Sequence, residues 1–369
     1  MSVRFLDLGQ QYLSMKAEID SAIADVIRDA AFISGKYASR FEQEFAAYAG
    51  AVYCLACANG TDAIEIALEA LDLPAHSEVI VPANTFIASS EAVTRAGHRV
   101  VFCDCDPEDY TISIDSMISK LTPRTRAVMA VHLYGHPCDM SAISSVAREA
   151  DLKVIEDCAQ AHGARCHGRP VGTFGDVGTF SFYPGKVLGA YGDAGAVVTS
   201  DERLAKRMRM IANHGRIGKY DHEFEGRNSR LDGIQGAVLS AKLPHLEAWI
   251  GHRQMIAGLY ATGLQGVGDI TLPTCRAWAR HVFHLYVVRT GLRDGLQKFL
   301  AARGIETGVH YPRALPKLAA YAYCSQGSEP FFAHRADSEL LSLPIGEHMT
   351  ALDADEVIQA CREYYRDAC

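Results

Sequence analysis

Residues 181–198 read SFYPGKVLGAYGDAGAVV, and this stretch decides the fold. A β-type run, 177–182, delivers a single lysine, Lys186, to a Pro-Gly turn, and a glycine-rich return leads into a second β-type run over 196–200. A lysine in such a loop is either an ordinary solvated charge or a reactive amine. The surrounding chain has to decide between the two.

Moving outward, apolar runs of strand length alternate with helical patterns. Upstream of the lysine loop they pair as 52–57 with 62–71, 78–81 with 87–96, 100–105 with 114–121, and 127–132 with 140–150, followed by 153–156. This βα alternation predicts an α/β fold, a mainly parallel sheet with helices on both faces, whose ligands collect at the carboxyl ends of the strands. Downstream, a helix over 202–213 precedes an irregular, glycine-bearing segment, 214–228, too long for a simple connector. Helical patterns over 231–264 are interrupted at Pro244. A smaller α+β portion follows, with strands near 283–289 and 307–311 and helices near 292–303, 330–340 and 353–366. The N-terminus contributes a strand-like FLDL entry, a helix over 11–30 and another over 39–49 that stops at Gly50. These patterns predict a large domain over 1–244 with an N-terminal helical arm and a small C-terminal domain over 245–369. A chain of 369 residues exceeds what one core usually supports, which agrees with two units.

The formal net charge of −8 argues against a nucleic-acid partner, which demands a broad excess of Lys and Arg. No apolar run reaches membrane-spanning length and the N-terminus lacks an apolar signal core, so the expected location is cytoplasmic. Eleven cysteines are scattered, several within apolar runs, where they act as small hydrophobes. Cys54 and Cys57 form a CxxC whose odd spacing in a strand sends the two thiols to opposite faces, and neither this pair nor Cys103 and Cys105 has a second pair at zinc-site spacing, so no metal is expected.

Four places on the sheet edge carry candidate chemistry. ANGTDAIEIAL (58–68) sets Gly60 and Thr61 where a strand ends and a helix begins, which suits either a phosphate or a plain turn cap. VIEDCAQAHGA (154–164) brings Glu156 and Asp157 out of a buried strand, and a carboxylate there needs a cationic or proton-donating partner. PANTFIAS (82–89) offers Phe86 at a helix start, as core or as a ring to stack on a flat ligand. Ser181 offers a hydroxyl on the strand entering the lysine loop. An anion cradle, a flat aromatic, a buried acid and a lysine are together what a protein must supply to pyridoxal 5′-phosphate.

With these motifs, and with FLDLGQQY, VHLYGHPCDM, NSRLD, HVFHLYVVR and VHYP, the chain resembles the DegT/DnrJ/EryC1/StrS sugar aminotransferases, of the type I aspartate aminotransferase fold, over nearly its whole length. The resemblance implies that Lys186 carries the cofactor, Asp157 faces its pyridine nitrogen, Gln160 lies near its ring hydroxyl and Phe86 stacks on it. It also implies that Gly60, Thr61 and Ser181 hold the phosphate, with Asn228 reaching it from the neighbouring subunit of a homodimer. The activity implied is transfer of an amino group from L-glutamate to a UDP- or dTDP-linked keto sugar, for glycan, lipopolysaccharide or natural-product biosynthesis. Arg216, Lys219, Arg230, His310, Tyr311 and Arg313 are the candidates for holding that substrate. The opening FLDLGQQY is more similar to members that aminate C3 than to those that aminate C4.

Two positions depart from the family pattern: Val187 stands where Asn is common and Ala194 where Gly is common, and neither removes a group with a named chemical role. The lysine argues against the branch of dehydratases that carry histidine there. A non-catalytic cofactor-binding regulator and a desulfurating enzyme of the same fold remain as alternatives. A nicotinamide-binding fold would require GxGxxG after the first strand, and none occurs there.

Overall fold

The computed structural model describes residues 2–368. Its centre is a seven-stranded sheet: β1 (Tyr53–Cys57), β2 (Glu78–Pro82), β3 (Arg99–Cys103), β4 (Thr125–Val131), β5 (Lys153–Asp157), β6 (Val177–Ser181) and β7 (Gly195–Thr199), in the order β1-β7-β6-β5-β4-β2-β3. Strand β7 runs antiparallel to both its neighbours and every other pairing is parallel. The apolar runs of β2 and β7 are buried at every position, as strands covered on both faces must be.

Helices α1 (Lys16–Arg28), α2 (Gly35–Ala49), α3 (Gly60–Ala70), α4 (Ile87–Arg95), α5 (Met140–Glu149), α6 (Glu202–Ala212) and α7 (Gly233–Lys242) surround the sheet. Ile64, Ile66 and Leu68 of α3, Val93 of α4 and Met208 of α6 fill the core on one face. Phe41 and Phe45 of α2 and Leu239 of α7 fill the core on the other, where Phe45 meets Phe180 and Phe182 edge-on at 4.9 and 5.0 Å. Cys54 and Cys57 fall in these two opposite cores, as their spacing requires.

Beyond a 3₁₀ turn at Leu243–His245 come α8 (Leu246–Gly263), β8 (Tyr286–Arg289), α9 (Arg293–Ala302), β9 (Leu340–Leu343) and α10 (Ala351–Ala368), with β8 and β9 antiparallel. Tyr260, Tyr286, Leu296 and Val357 centre their own core, which Val3 joins by bridging to Ile305. The N-terminal entry therefore rides on the C-terminal portion.

Three local expectations are corrected. No strand forms over 307–311, because Gly308 alone bridges to Ser342. The helix expected over 330–340 is only Phe332–Ala336, and the LLSL run that follows is β9, whose β-sheet partner lies far away in sequence. The first N-terminal helix splits at Met15 into Leu8–Ser14 and α1, because Met15, at φ −132° and ψ 25°, leaves the helical region.

Candidate active site

The carboxyl ends of β1, β2, β4, β5 and β6 open into one cavity of about 540 Å³, lined among others by Gly60, Thr61, Phe86, Asp157, Gln160, Ser181, Lys186, His310 and Tyr311. The topology dictates this convergence, since parallel strands place all their exit loops on one edge.

Each side chain is held for a local reason. Asn59 caps α3 by accepting from the Asp62 amide at 2.8 Å, and the amides of Gly60 and Thr61, in the first turn, have no intrahelical acceptor. They form an anion cradle at the positive end of the helix. A Cβ on Gly60 would lie 2.5 Å from the Ser181 Cβ, so only glycine lets β6 come this close to the cradle.

Asp157, 5% exposed, ends β5. Its Oδ2 accepts from Ser89 Oγ at 2.7 Å and its Oδ1 from the Ala159 amide at 3.1 Å. Ser89 in turn lies 2.9 Å from the Thr85 hydroxyl. The neighbouring Glu156 points the other way, accepting from the amides of Gly172, Phe174 and Gly175 at 2.7 Å each and lying 3.1 Å from His132 Nε2. One strand end thus carries a structural acid on one side and an acid aimed at the cavity on the other. Together with Cys158, Glu156 and His132 have metal-ligand proximity, yet the carboxylate oxygens are already taken by backbone donors.

Lys186 sits in a loop clamped where the Ala190 amide donates to the Phe182 carbonyl at 2.8 Å. Gly189 presses so closely on the Pro184 carbonyl that a Cβ would lie 2.3 Å from it. Burial pushes the Lys186 ammonium down to about 8, against the opposing charge of Asp157. Three histidines surround it, all driven toward the neutral form by burial and then by the Lys186 charge: His162 to about 3, His310 to about 4, and His284 well below its ordinary value. Gln160 is fixed from both ends, taking the Tyr134 amide at 2.6 Å and donating to the Tyr311 hydroxyl at 3.0 Å. Burial raises the Tyr311 phenol, which stays protonated.

These groups fit pyridoxal phosphate: a helix-terminal cradle beside a serine, a fixed buried carboxylate and a desolvated amine, with the half-exposed Phe86 ring on the wall.

Four expected substrate contacts, Arg216, Lys219, Arg230 and Arg313, do not line this cavity, and neither does Asn228, which was expected to serve the neighbouring subunit's site. Asn228 is exposed and points away, because Arg227 on one side is bound to Glu65 and Glu69 of α3, and Ser229 on the other donates to Asp62 at 2.6 Å. Arg216 and Lys219 stand on the turn 214–226, where Arg216 bridges to His222. Arg230 lines a separate cavity of about 200 Å³ beside Arg209 and the start of α2, and Arg313 faces a small crevice beside Asn84 and Asp337. No arginine of this chain lines the main cavity among the described residues.

The cavity also holds residues that sequence reasoning missed: Phe5, Leu6, Ser89, Tyr183, Asp193 and His284. Ser89 was legible in principle, lying one helical turn after Phe86 in PANTFIAS. His284 and Leu6 lay within quoted motifs but nothing in their spacing indicated which way they face.

Known proteins resemble this chain over nearly its whole length. The chain is 44% identical over 367 residues, 98% of this chain and 96% of the relative, to the dTDP-3-amino-3,4,6-trideoxy-alpha-D-glucose transaminase of Streptomyces venezuelae. It is 42% identical over 344 residues, 93% of each chain, to a UDP-N-acetyl-3-dehydro-alpha-D-glucosamine 3-aminotransferase of Acidithiobacillus ferrooxidans. The crystal structure of S. venezuelae DesV in complex with a ketimine intermediate superposes with a TM-score of 0.96 at 43% identity, covering 99% of this chain and 98% of that one. Residues 13–362 match the model of one family, and the chain belongs to it: the DegT/DnrJ/EryC1/StrS aminotransferase family.

Proposed function

We propose that the protein is a pyridoxal-phosphate-dependent aminotransferase that moves an amino group from L-glutamate to C3 of a UDP- or dTDP-linked keto sugar. The observation that carries the reaction type is the placement of Lys186, Asp157 and the α3 amides on one cavity. The C3 assignment rests on the two 3-amino-sugar relatives. Residues 1–244 supply the cofactor groups named above, and 245–369 closes the cavity with His284, His310 and Tyr311.

The bound cofactor supplies an electron sink for charge developing on the adjacent carbon. Gly60, Thr61 and Ser181 would hold its phosphate. Asp157, kept in place by Ser89, would pair with the ring nitrogen and favour its protonated form. Gln160 would lie toward the ring hydroxyl. Lys186 Nζ would anchor the cofactor, and once released, as a neutral amine, would be the base that takes the proton from the substrate carbon. Desolvation supports this, because a lysine near 8 offers free amine close to neutral pH. Capture of pyridoxal phosphate by the cofactor-free protein should therefore accelerate as pH rises toward about 8 and level off above it. Stopped-flow absorbance reads this directly, and a rise that continues to the ordinary lysine range would show that Lys186 is not desolvated.

The two carboxylates of glutamate and the diphosphate of the nucleotide need cations, and among the described residues Lys186 is the one lysine or arginine that lines this chain's own cavity. Arg216, Lys219, Arg230 and Asn228, directed away from it, fit a role in the cavity of a second copy. We therefore assign a homodimer with shared sites. Mixing inactive Lys186→Ala with Asn228→Ala and allowing subunit exchange should restore activity, since one site of the hybrid regains both residues. A mixture no more active than its components, or a fully active monomer, sinks the shared site.

The decisive experiment is a nucleotide-sugar panel run with L-glutamate, with NMR locating the new amine. Amination at C4, or turnover of no nucleotide sugar, overturns the reading.

A further inference from the structure

Beneath the lysine loop lies a buried polar chain to which the reaction gives no role. Lys242, the last residue of α7, is fully buried. Its Nζ donates to the Gly189 carbonyl at 2.8 Å and to Gln11 Oε1 at 2.8 Å, and lies 4.2 Å over the Tyr191 ring. Gln11, 4% exposed, passes its own amide to Glu347 Oε1 at 2.5 Å. Glu347 Oε2 pairs with Arg253 Nη2 at 3.1 Å. Arg253, 2% exposed, spends Nη1 on the carbonyls of Ile345 at 3.1 Å and of Phe283 and His284 at 3.3 Å.

The two ends of this chain are the two walls of the cavity. One end grips Gly189, the closing residue of the tight turn that presents Lys186. The other grips the backbone of His284, whose side chain faces Lys186 from the C-terminal portion. The middle link, Gln11, belongs to the N-terminal helix that follows Phe5 and Leu6 on the cavity wall. Three ionisable side chains and one amide are taken out of water here, at a cost that a packed apolar pair would avoid. A general strut does not need such a chain, but a fixed distance between two walls does, because directional hydrogen bonds tolerate little displacement.

We propose that Lys242 is a positioning residue for Lys186: through Gly189 it sets the height of the lysine loop, and through Gln11, Glu347 and Arg253 it locks that loop to the N-terminal entry and to the His284 wall. The proposal rests on the reading that Lys186 carries the cofactor. It concerns how the amine is held, and is independent of the sugar accepted.

The test uses the holoenzyme with Lys242→Met, which keeps the length of the stem and removes the ammonium. The variant should fold, keep cofactor at saturating concentration, and lose about tenfold or more in kcat with a smaller change in KM for L-glutamate. The midpoint pH of the bound cofactor's visible band should move by about half a unit or more, a signature that loss of stability alone does not produce. Glu347→Gln should act on the same two readouts, and the double variant should lose less than the product of the singles, as links in one chain do. If Lys242→Met does not fold, Gln11→Leu interrupts the chain at its uncharged link and is read in the same way. Wild-type kcat and an unmoved midpoint in whichever variant folds, or strictly multiplicative losses, would overturn the proposal. Lys186→Ala serves as the separate control: if it keeps the wild-type visible band, the underlying reading of Lys186 fails, whatever Lys242 does.

Discussion

Replacing Lys186 with alanine is expected to lower transamination by about a thousandfold or more, the upper range for removing a general base, with loss of the covalent anchor added to it. The residue has no substitute nearby. His162, His284 and His310 share its surroundings, but burial depresses all three, which leaves them neutral and too weakly basic to take a proton from carbon. His162 is moreover wedged between the rings of Phe180 and Phe182, at 5.6 and 5.4 Å between centroids. The variant should fold normally, because Lys186 makes no side-chain hydrogen bond among the described residues and its charge is disfavoured where it sits. Single-turnover absorbance with L-glutamate checks this. Wild-type rates would falsify the assignment of the base.

Asp157→Asn is the second large effect, with an expected loss of about a hundred- to a thousandfold, in line with removing a preorganised charge from a dry site. The amide matches the carboxylate in size, so the loss reports charge and not packing. One local contact sharpens the test. Ser89 donates to Oδ2, and the Ala159 amide donates to Oδ1. The asparagine oxygen is expected to stay with the Ala159 amide while its NH₂ donates to Ser89 Oγ, whose own proton turns to the Thr85 hydroxyl, so that Ser89 no longer supports a charge. Ser89→Ala in the Asp157→Asn background should then cost little more than Asp157→Asn alone, whereas in the wild-type background it should be visible. Equal kcat in Asp157→Asn and wild type would remove Asp157 from the mechanism.

The sheet was legible because parallel strands buried on both faces leave continuous apolar runs, and the runs at β2, β4 and β5 start and stop within two residues of their expected bounds. The residues on strand exits were legible for the same reason, since topology alone sends Gly60, Asp157 and Ser181 to one edge. What could not be read was set by partners distant in the chain. LLSL at 340–343 has no helical or strand preference strong enough to choose until it meets β8. The pairing of Arg227 with Glu65 and Glu69, which fixes the segment around Asn228, is one that spacing cannot announce. Lys242 reads as one more helical lysine, and only the carbonyl of Gly189 on the floor above it sets it apart.

The reversed strand β7 carries a consequence for how the protein is made. β1 precedes the other six strands of the sheet in the chain, yet it sits on the edge and its sole partner in the sheet is β7, in a register that runs from Tyr53 with Thr199 to Cys57 with Gly195. Gly195 packs so tightly on the Asn59 carbonyl that a Cβ would lie 2.2 Å away. The start of α3 is thus shaped by a segment synthesised long after it, immediately beyond Lys186. Until that late segment docks, the nascent chain holds a β-strand with both edges bare, a hazard for mispairing with other chains. The start of α3 and the loop that carries Lys186 are therefore completed by the same late segment.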